Sequence, residues 1–211
     1  MMLTVHHLGI SQSERIVWLC EELELDYRLL RYDRDSVSRL APEDYKALHP
    51  SGTAPVIEED GVVLAETGAI VDYIIARHGG SALTVPAADR DFPHYLFWLH
   101  FANGSMMPRG MFQMIASAIS GPSATGVLGE RSDAAFAMAE ERLGEAPWFS
   151  GERFSAADIM MVFPLTTMRL FVPRDLAPYP HIRAYLARVG ERPAYLRAMA
   201  KGDPGLPLQL G

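Results

Sequence analysis

Apolar positions along the first 80 residues recur with two different periods, and the alternation between them predicts the elements. Residues 3–8 form a short, largely apolar run and read as a strand. From 11 to 25 the spacing lengthens, and Ile16, Leu19, Cys20 and Leu23 share one helix face. Residues 27–32 return to strand spacing. A β-α-β unit of this kind makes a right-handed crossover with parallel strands. Residues 42–48 read as a short helix or turn. Residues 55–59 and 62–64 are short strands around Asp60-Gly61, a strong hairpin signal. Residues 65–78 are helical again and stop at Gly79-Gly80.

After a linker over 81–90 that carries Pro86, the strand period does not recur. Helical patterns cover 91–120, 128–145, 155–171, 179–190 and 193–201, with a Gly/Ser/Pro loop over 120–126. The expected architecture is α/β plus all-α. A thioredoxin-like domain (β-α-β-α-β-β-α, residues 1–80) precedes a helical-bundle domain (residues 91–211).

Composition narrows the function classes. The 211 residues are 49% hydrophobic and 21% charged, ordinary for a globular protein. A net charge of −7 with scattered basic residues argues against nucleic acid as a main partner. No apolar run is long enough to span a bilayer, and the N-terminal residues lack a signal-peptide pattern. The single cysteine, Cys20, forms no internal disulfide, which fits a reducing, cytoplasmic setting. There is no His/Cys cluster with zinc spacing, and the adjacent His6 and His7 would point to opposite faces of a strand. No metal and no nucleotide are expected.

Ser11 stands between the first strand and the first helix. Helix N-termini present free N–H groups and partial positive charge, and so favour an anion. Ser11-Gln12-Ser13-Glu14 also fits a capping box, in which the Ser11 hydroxyl accepts a backbone N–H three residues on. A hydroxyl can accept that bond and still donate its own proton. A second capping box, Ser155-Ala156-Ala157-Asp158, reads as purely structural. Cys20 lies on the core-facing side of its helix and reads as inert.

The strings SQSER, GTAPV, AETGAI, LHFANGSMMP, FSAADIMM and PHIRAYLARVGERPAY, in that order, resemble the cytosolic glutathione transferase family over nearly the whole chain. The likeness is to its serine-type, bacterial and fungal branch. It implies that Ser11 donates a hydrogen bond to the sulfur of glutathione and stabilises the thiolate, the nucleophilic form. Ser13 is the fallback for that role. It implies a cis bond at Ala54-Pro55, with Thr53, Ala54, Pro55 and Val56 lining the cysteinyl backbone of glutathione as an added strand would. The alternative is a trans proline that starts a strand. Glu66 and Thr67 would hold the γ-glutamyl end, or else only cap the third helix. The glycyl carboxylate has no standard partner, because Thr53 stands where many members carry Lys or Gln. Arg39 or His49 would take it. The second substrate, an apolar electrophile or a peroxide, would meet Asn103, Ser105, Met106 and Arg109 in the helical domain. Ordinary core filling is the other reading of the methionines.

The implied activity is conjugation of glutathione as co-substrate to a small hydrophobic electrophile, a detoxification chemistry, carried out by a homodimer. A non-catalytic ligand-binding or interaction protein on the same fold is the alternative. A thiol–disulfide exchanger would need a cysteine where Ser11 stands.

Overall fold

A computed structural model describes residues 2–120 and 126–211. Most of the loop expected over 120–126 therefore lies outside the described residues. By contact the chain forms two compact units, Met1–Leu83 with Gly190–Leu208 and Thr84–Val189 with Gln209–Gly211. No described helix is long and apolar enough to cross a membrane.

The first unit is built on a four-stranded sheet of order β2-β1-β3-β4, with β1 at Leu3–Leu8, β2 at Tyr27–Tyr32, β3 at Val56–Glu59 and β4 at Val62–Ala65. β1 and β2 are parallel, while β3 runs antiparallel to both β1 and β4. The β3–β4 turn has positive φ at Asp60 (48°) and Gly61 (81°), as a tight two-residue hairpin requires. Helix α1 (Glu14–Glu22) buries Ile16, Val17, Leu19 and Cys20, and α3 (Thr67–Ile74) buries Ile70, Val71 and Ile74. The short α2 spans Glu43–Lys46 and buries Tyr45. A continuous helix over 65–78 is not formed. Glu66 adopts φ 73°, outside helical space, so α3 opens at Thr67, and Ile75–Gly79 closes as a π turn.

The last helix, α9 (Pro193–Gly202), packs on α1 within this same unit, although sequence pattern assigns it to the helical domain. Trp18 meets Tyr195 edge-on at 5.0 Å between ring centroids. Around that contact, Arg192 forks onto Glu22 through two 2.6 Å bonds. Arg197 and Tyr27 both donate to Glu21, at 2.9 and 2.7 Å, and Lys201 joins them.

The second unit is helical: α4 (Phe92–Phe101), α5 (Met107–Ser120), α6 (Gly126–Glu145), α7 (Ala156–Leu165) and α8 (Pro180–Gly190). The expected helix over 91–120 is interrupted by a π turn at Ala102–Met106. The expected helix over 155–171 ends at Leu165. Pro164 supplies no N–H, Thr166 leaves helical space (φ −120°, ψ −100°), and a 3-10 turn follows at Thr167–Leu170. The Ser155 capping box forms. Ser155 N donates to Asp158 Oδ2 at 2.9 Å, and Ser155 Oγ accepts from Ala157 N at 3.2 Å. Asp158 Oδ1 also accepts from Phe149 N at 2.9 Å, in a fully buried setting.

Candidate active site

Sheet topology brings three chain segments to one end of the first unit. β1 ends there and leads to Ser11. β3 begins there, directly after Pro55, with Val56 opposite His6. β4 ends there, with Ala65 opposite Val56, and leads into Thr67 at the start of α3. The N-termini of α1 and α3 therefore share one end of the sheet with the Ala54-Pro55 bond, which is cis.

The turn before Ser11 is held in an unusual conformation. Ile10 has φ 52°, a region β-branched residues seldom enter. It is fixed from both sides. Ile10 N donates to Asp203 Oδ1 at 2.9 Å, while Arg34 donates to Gly9 O at 2.9 Å and to Ile10 O at 3.0 Å. The same guanidinium donates to Arg39 O at 3.0 Å, tying the exposed Arg39 turn to this loop.

The expected capping box at Ser11 is not the bond that forms. Ser11 Oγ accepts from Ser13 N, two residues on, at 3.2 Å, and Glu14 N instead donates to Ser11 O at 3.1 Å. The helix opens at Glu14, later than the pattern indicated, because residues 11–13 make this tighter turn. Ser11 is 5% exposed and Ser13 fully buried. Their hydroxyls lie 2.8 Å apart.

Gln12, which sequence reading passed over, ties the segments together. Its Nε2 donates to Ala54 O at 3.1 Å, and its Oε1 accepts from Thr67 Oγ1 at 3.1 Å. The Arg15 guanidinium donates to the same Oε1, and Arg15 Nε reaches Gln12 O at 3.3 Å. Arg15 is fully buried. Burial pulls its pKa down to about 10 while Glu14 and Glu66 oppose the shift, so it is cationic at neutral pH. Only the position of Gln12, inside the SQSER string between two site elements, marked it. Cys20 is also fully buried, and burial pushes its thiol well above the ordinary range, so it supplies no thiolate.

Of the other expected residues, Thr53 is exposed and donates to Ser51 Oγ at 3.2 Å, which in turn lies 3.0 Å from His49 Nδ1. His49 thus stands beside the Thr53 segment. Among the described residues, no group of three His, Cys, Asp or Glu side chains is arranged to hold a metal ion.

Family models for the N-terminal and C-terminal domains of glutathione S-transferases match residues 11–77 and 127–193. Glutathione S-transferase 3 of Schizosaccharomyces pombe is 30% identical over 209 residues, an alignment spanning 92% of this chain and 85% of the yeast protein. The chain belongs to the glutathione S-transferase family. A glutathione S-transferase of Actinobacillus pleuropneumoniae superposes with a TM-score of 0.89 at 34% identity, covering 97% of this chain and 94% of that one. A sphingomonad glutathione S-transferase solved in complex with glutathione superposes with a TM-score of 0.77 at 26% identity, over 97% and 100% of the two chains. The sheet domain and the helical domain are those of this family.

Within the helical unit of this transferase, the four residues expected at an electrophile pocket separate. Ser105 and Arg109 line a pocket of about 270 Å³ with Gly104, Pro108, Phe112 and Arg131. The Arg109 guanidinium lies 5.4 Å from the centre of the Phe101 ring. Met106 is instead 4% exposed and borders a cavity of only 20 Å³ with Phe136 and Met168, a core position. Asn103, half-buried, sits in the π turn that rotates Met106 inward and Ser105 toward the pocket.

Proposed function

We propose that this protein binds glutathione at the sheet end described above and uses Ser11 to stabilise its thiolate for attack on a small apolar electrophile or a peroxide. The observation that carries this reading is the convergence of Ser11, the Ala54-Pro55 segment and Thr67, cross-tied by Gln12. The Ser11 hydroxyl donates to sulfur, and the N-terminus of α1 favours the negative charge. The backbone of Ala54, between Thr53 and the Pro55-Val56 pair, takes the cysteinyl residue. Thr67 and the N-terminus of α3 receive the γ-glutamyl carboxylate, and Glu66 its ammonium. Arg39, on the turn tied by Arg34 to the Ser11 loop, or His49 beside Thr53, receives the glycyl carboxylate. Ser105 and Arg109 contact the second substrate. The working form is a cytoplasmic homodimer, and the buried free thiol of Cys20 fits a reducing compartment.

Retention on immobilised glutathione, combined with turnover of a generic aromatic electrophile, tests this. Retention and turnover together are expected, and Ser11→Ala should keep retention while losing turnover. Retention without turnover of any electrophile or peroxide would favour a ligand-binding role instead.

A further inference from the structure

The helical unit holds a pocket whose charge runs against that of the chain. Acidic residues outnumber basic ones 26 to 19, for a net charge of −7. Yet the pocket of about 270 Å³ formed by the π turn, α5 and α6 is lined by two arginines and by no carboxylate. Its polar side chains are Ser105, Arg109 and Arg131, and its apolar ones are Pro108 and Phe112.

Other arginines of this unit are neutralised by their neighbours. Arg142 pairs with Glu145 at 3.3 Å, and Arg174 with Asp133 at 2.5 Å. Among the described residues, Arg109 and Arg131 have no carboxylate within ion-pair distance. The acidic residues close to Arg131 in sequence do not serve it. Asp133 is taken by Arg174. Glu130 is the adjacent residue on α6, and consecutive side chains of a helix do not face each other. Arg109 lies 5.4 Å from the centre of the Phe101 ring, a contact that orients the guanidinium and leaves its charge in place.

Two like charges facing one pocket repel, and no carboxylate of the described residues offsets that. A bound anion does. A carboxylate accepts two parallel N–H bonds from a guanidinium fork. Ser105 adds a hydroxyl donor on the same wall. Phe112 is 56% exposed, so an apolar ring face stands beside the two cations. The volume falls at the small end of ligand pockets, about 300 Å³, and suits a single substituted ring.

We propose that this pocket selects the second substrate by an acidic group. The ligand is a small aromatic body bearing one carboxylate, with the carboxylate held by Arg109 and Arg131 and the ring set against Phe112. This rests on the reading that Ser105 and Arg109 contact the second substrate, and it narrows an apolar electrophile to one that carries a negative charge.

Binding is measured first, by titration calorimetry of the full-length protein with 3,5-dinitrobenzoate and with its neutral amide. Neither has a leaving group, so no reaction intervenes. The acid should bind about tenfold or more tightly than the amide, and that preference should fall by about tenfold in Arg109→Gln and in Arg131→Gln. Reading the preference within each variant cancels any loss of folded protein. Equal binding of acid and amide, or a preference that survives in either variant, overturns the proposal. Turnover is then compared for 4-chloro-3,5-dinitrobenzoate and its methyl ester with glutathione. Sulfur bonds to the carbon bearing chlorine, and chlorine leaves with the bonding pair as chloride. After division by the uncatalysed rates, kcat/KM should favour the acid by about tenfold, and each arginine variant should lower that ratio. If both compounds turn over without preference for the acid, this proposal fails and the transferase reading stands. If the acid binds through both arginines and neither compound is turned over, the transferase reading fails and the pocket remains an anion site.

Discussion

Gln12 donates its amide to Ala54 O and accepts from both Thr67 and the buried Arg15, so one side chain spans the segments expected to meet glutathione. Replacing it with Ala removes an acceptor from a buried cation at a cost of about 1–3 kcal/mol. Gln12→Ala should raise the KM for glutathione by about tenfold with a smaller change in kcat, the pattern of lost ground-state binding. Steady-state kinetics with glutathione as the varied substrate checks this, and an unchanged KM would mean that Gln12 only shapes the turn. Cys20 makes the opposite prediction. Buried and held as a thiol, it should resist alkylation in the native protein, and Cys20→Ala should keep full turnover. Loss of activity in that variant would reopen thiol–disulfide chemistry. Ser11 was legible because it combines a local position with a family string. Gln12 was hidden because its partners lie 42 and 55 residues away along the chain. Asp203, 193 residues from Ile10, carries no local signal.

Elements were legible where their determinants are local. The hairpin at Asp60-Gly61 and the Ser155 capping box are written in four residues or fewer, and both form. The π turn at Ala102–Met106 was not legible, since apolar spacing continues through it, and it decides that Ser105 rather than Met106 reaches a pocket. Asp158 accepts Ser155 N and Phe149 N while buried, so Asp158→Ala strands two buried N–H groups. The expected loss is about 2–4 kcal/mol, read as a lower denaturant midpoint with an unchanged slope. Glutathione turnover measured well below the new melting temperature should persist, because no atom of the candidate site is touched. The α1–α9 contact makes a pH prediction. Burial raises the Glu21 pKa, but Lys201, Tyr27 and Arg197 more than offset it, and the net shift is downward. A folded-state pKa below the unfolded one, about 4.3, stabilises above that value, and the contribution is lost as pH falls through the folded-state pKa. Glu21→Gln should therefore destabilise the protein at neutral pH and narrow its gap to the parent in acid. A gap that does not narrow below about pH 4 would contradict the assignment.

At the scale of the whole chain, the two units do not divide at a single point in sequence. The first unit takes back residues 190–208, because α9 buries Tyr195, Ala198 and Met199 and returns Asp203 to the Ile10 turn. Periodicity identifies α9 as a helix but says nothing of which core it joins, so sequence alone grouped it with the helices before it. Deleting residues after 189 should abolish retention on immobilised glutathione, although every residue expected to bind the tripeptide lies before residue 68. Retained binding by the shortened chain would show that α9 is dispensable to the site. The central claim, that Ser11 turns a weakly ionised thiol into a thiolate, is tested most directly by titrating the ultraviolet thiolate band of glutathione bound to the full-length protein and to Ser11→Ala. The account predicts a bound-thiol pKa at least about one unit below the ordinary thiol value near 8.5, and a return toward that value in Ser11→Ala. A band that titrates as free glutathione does, or one that Ser11→Ala leaves in place, would contradict it.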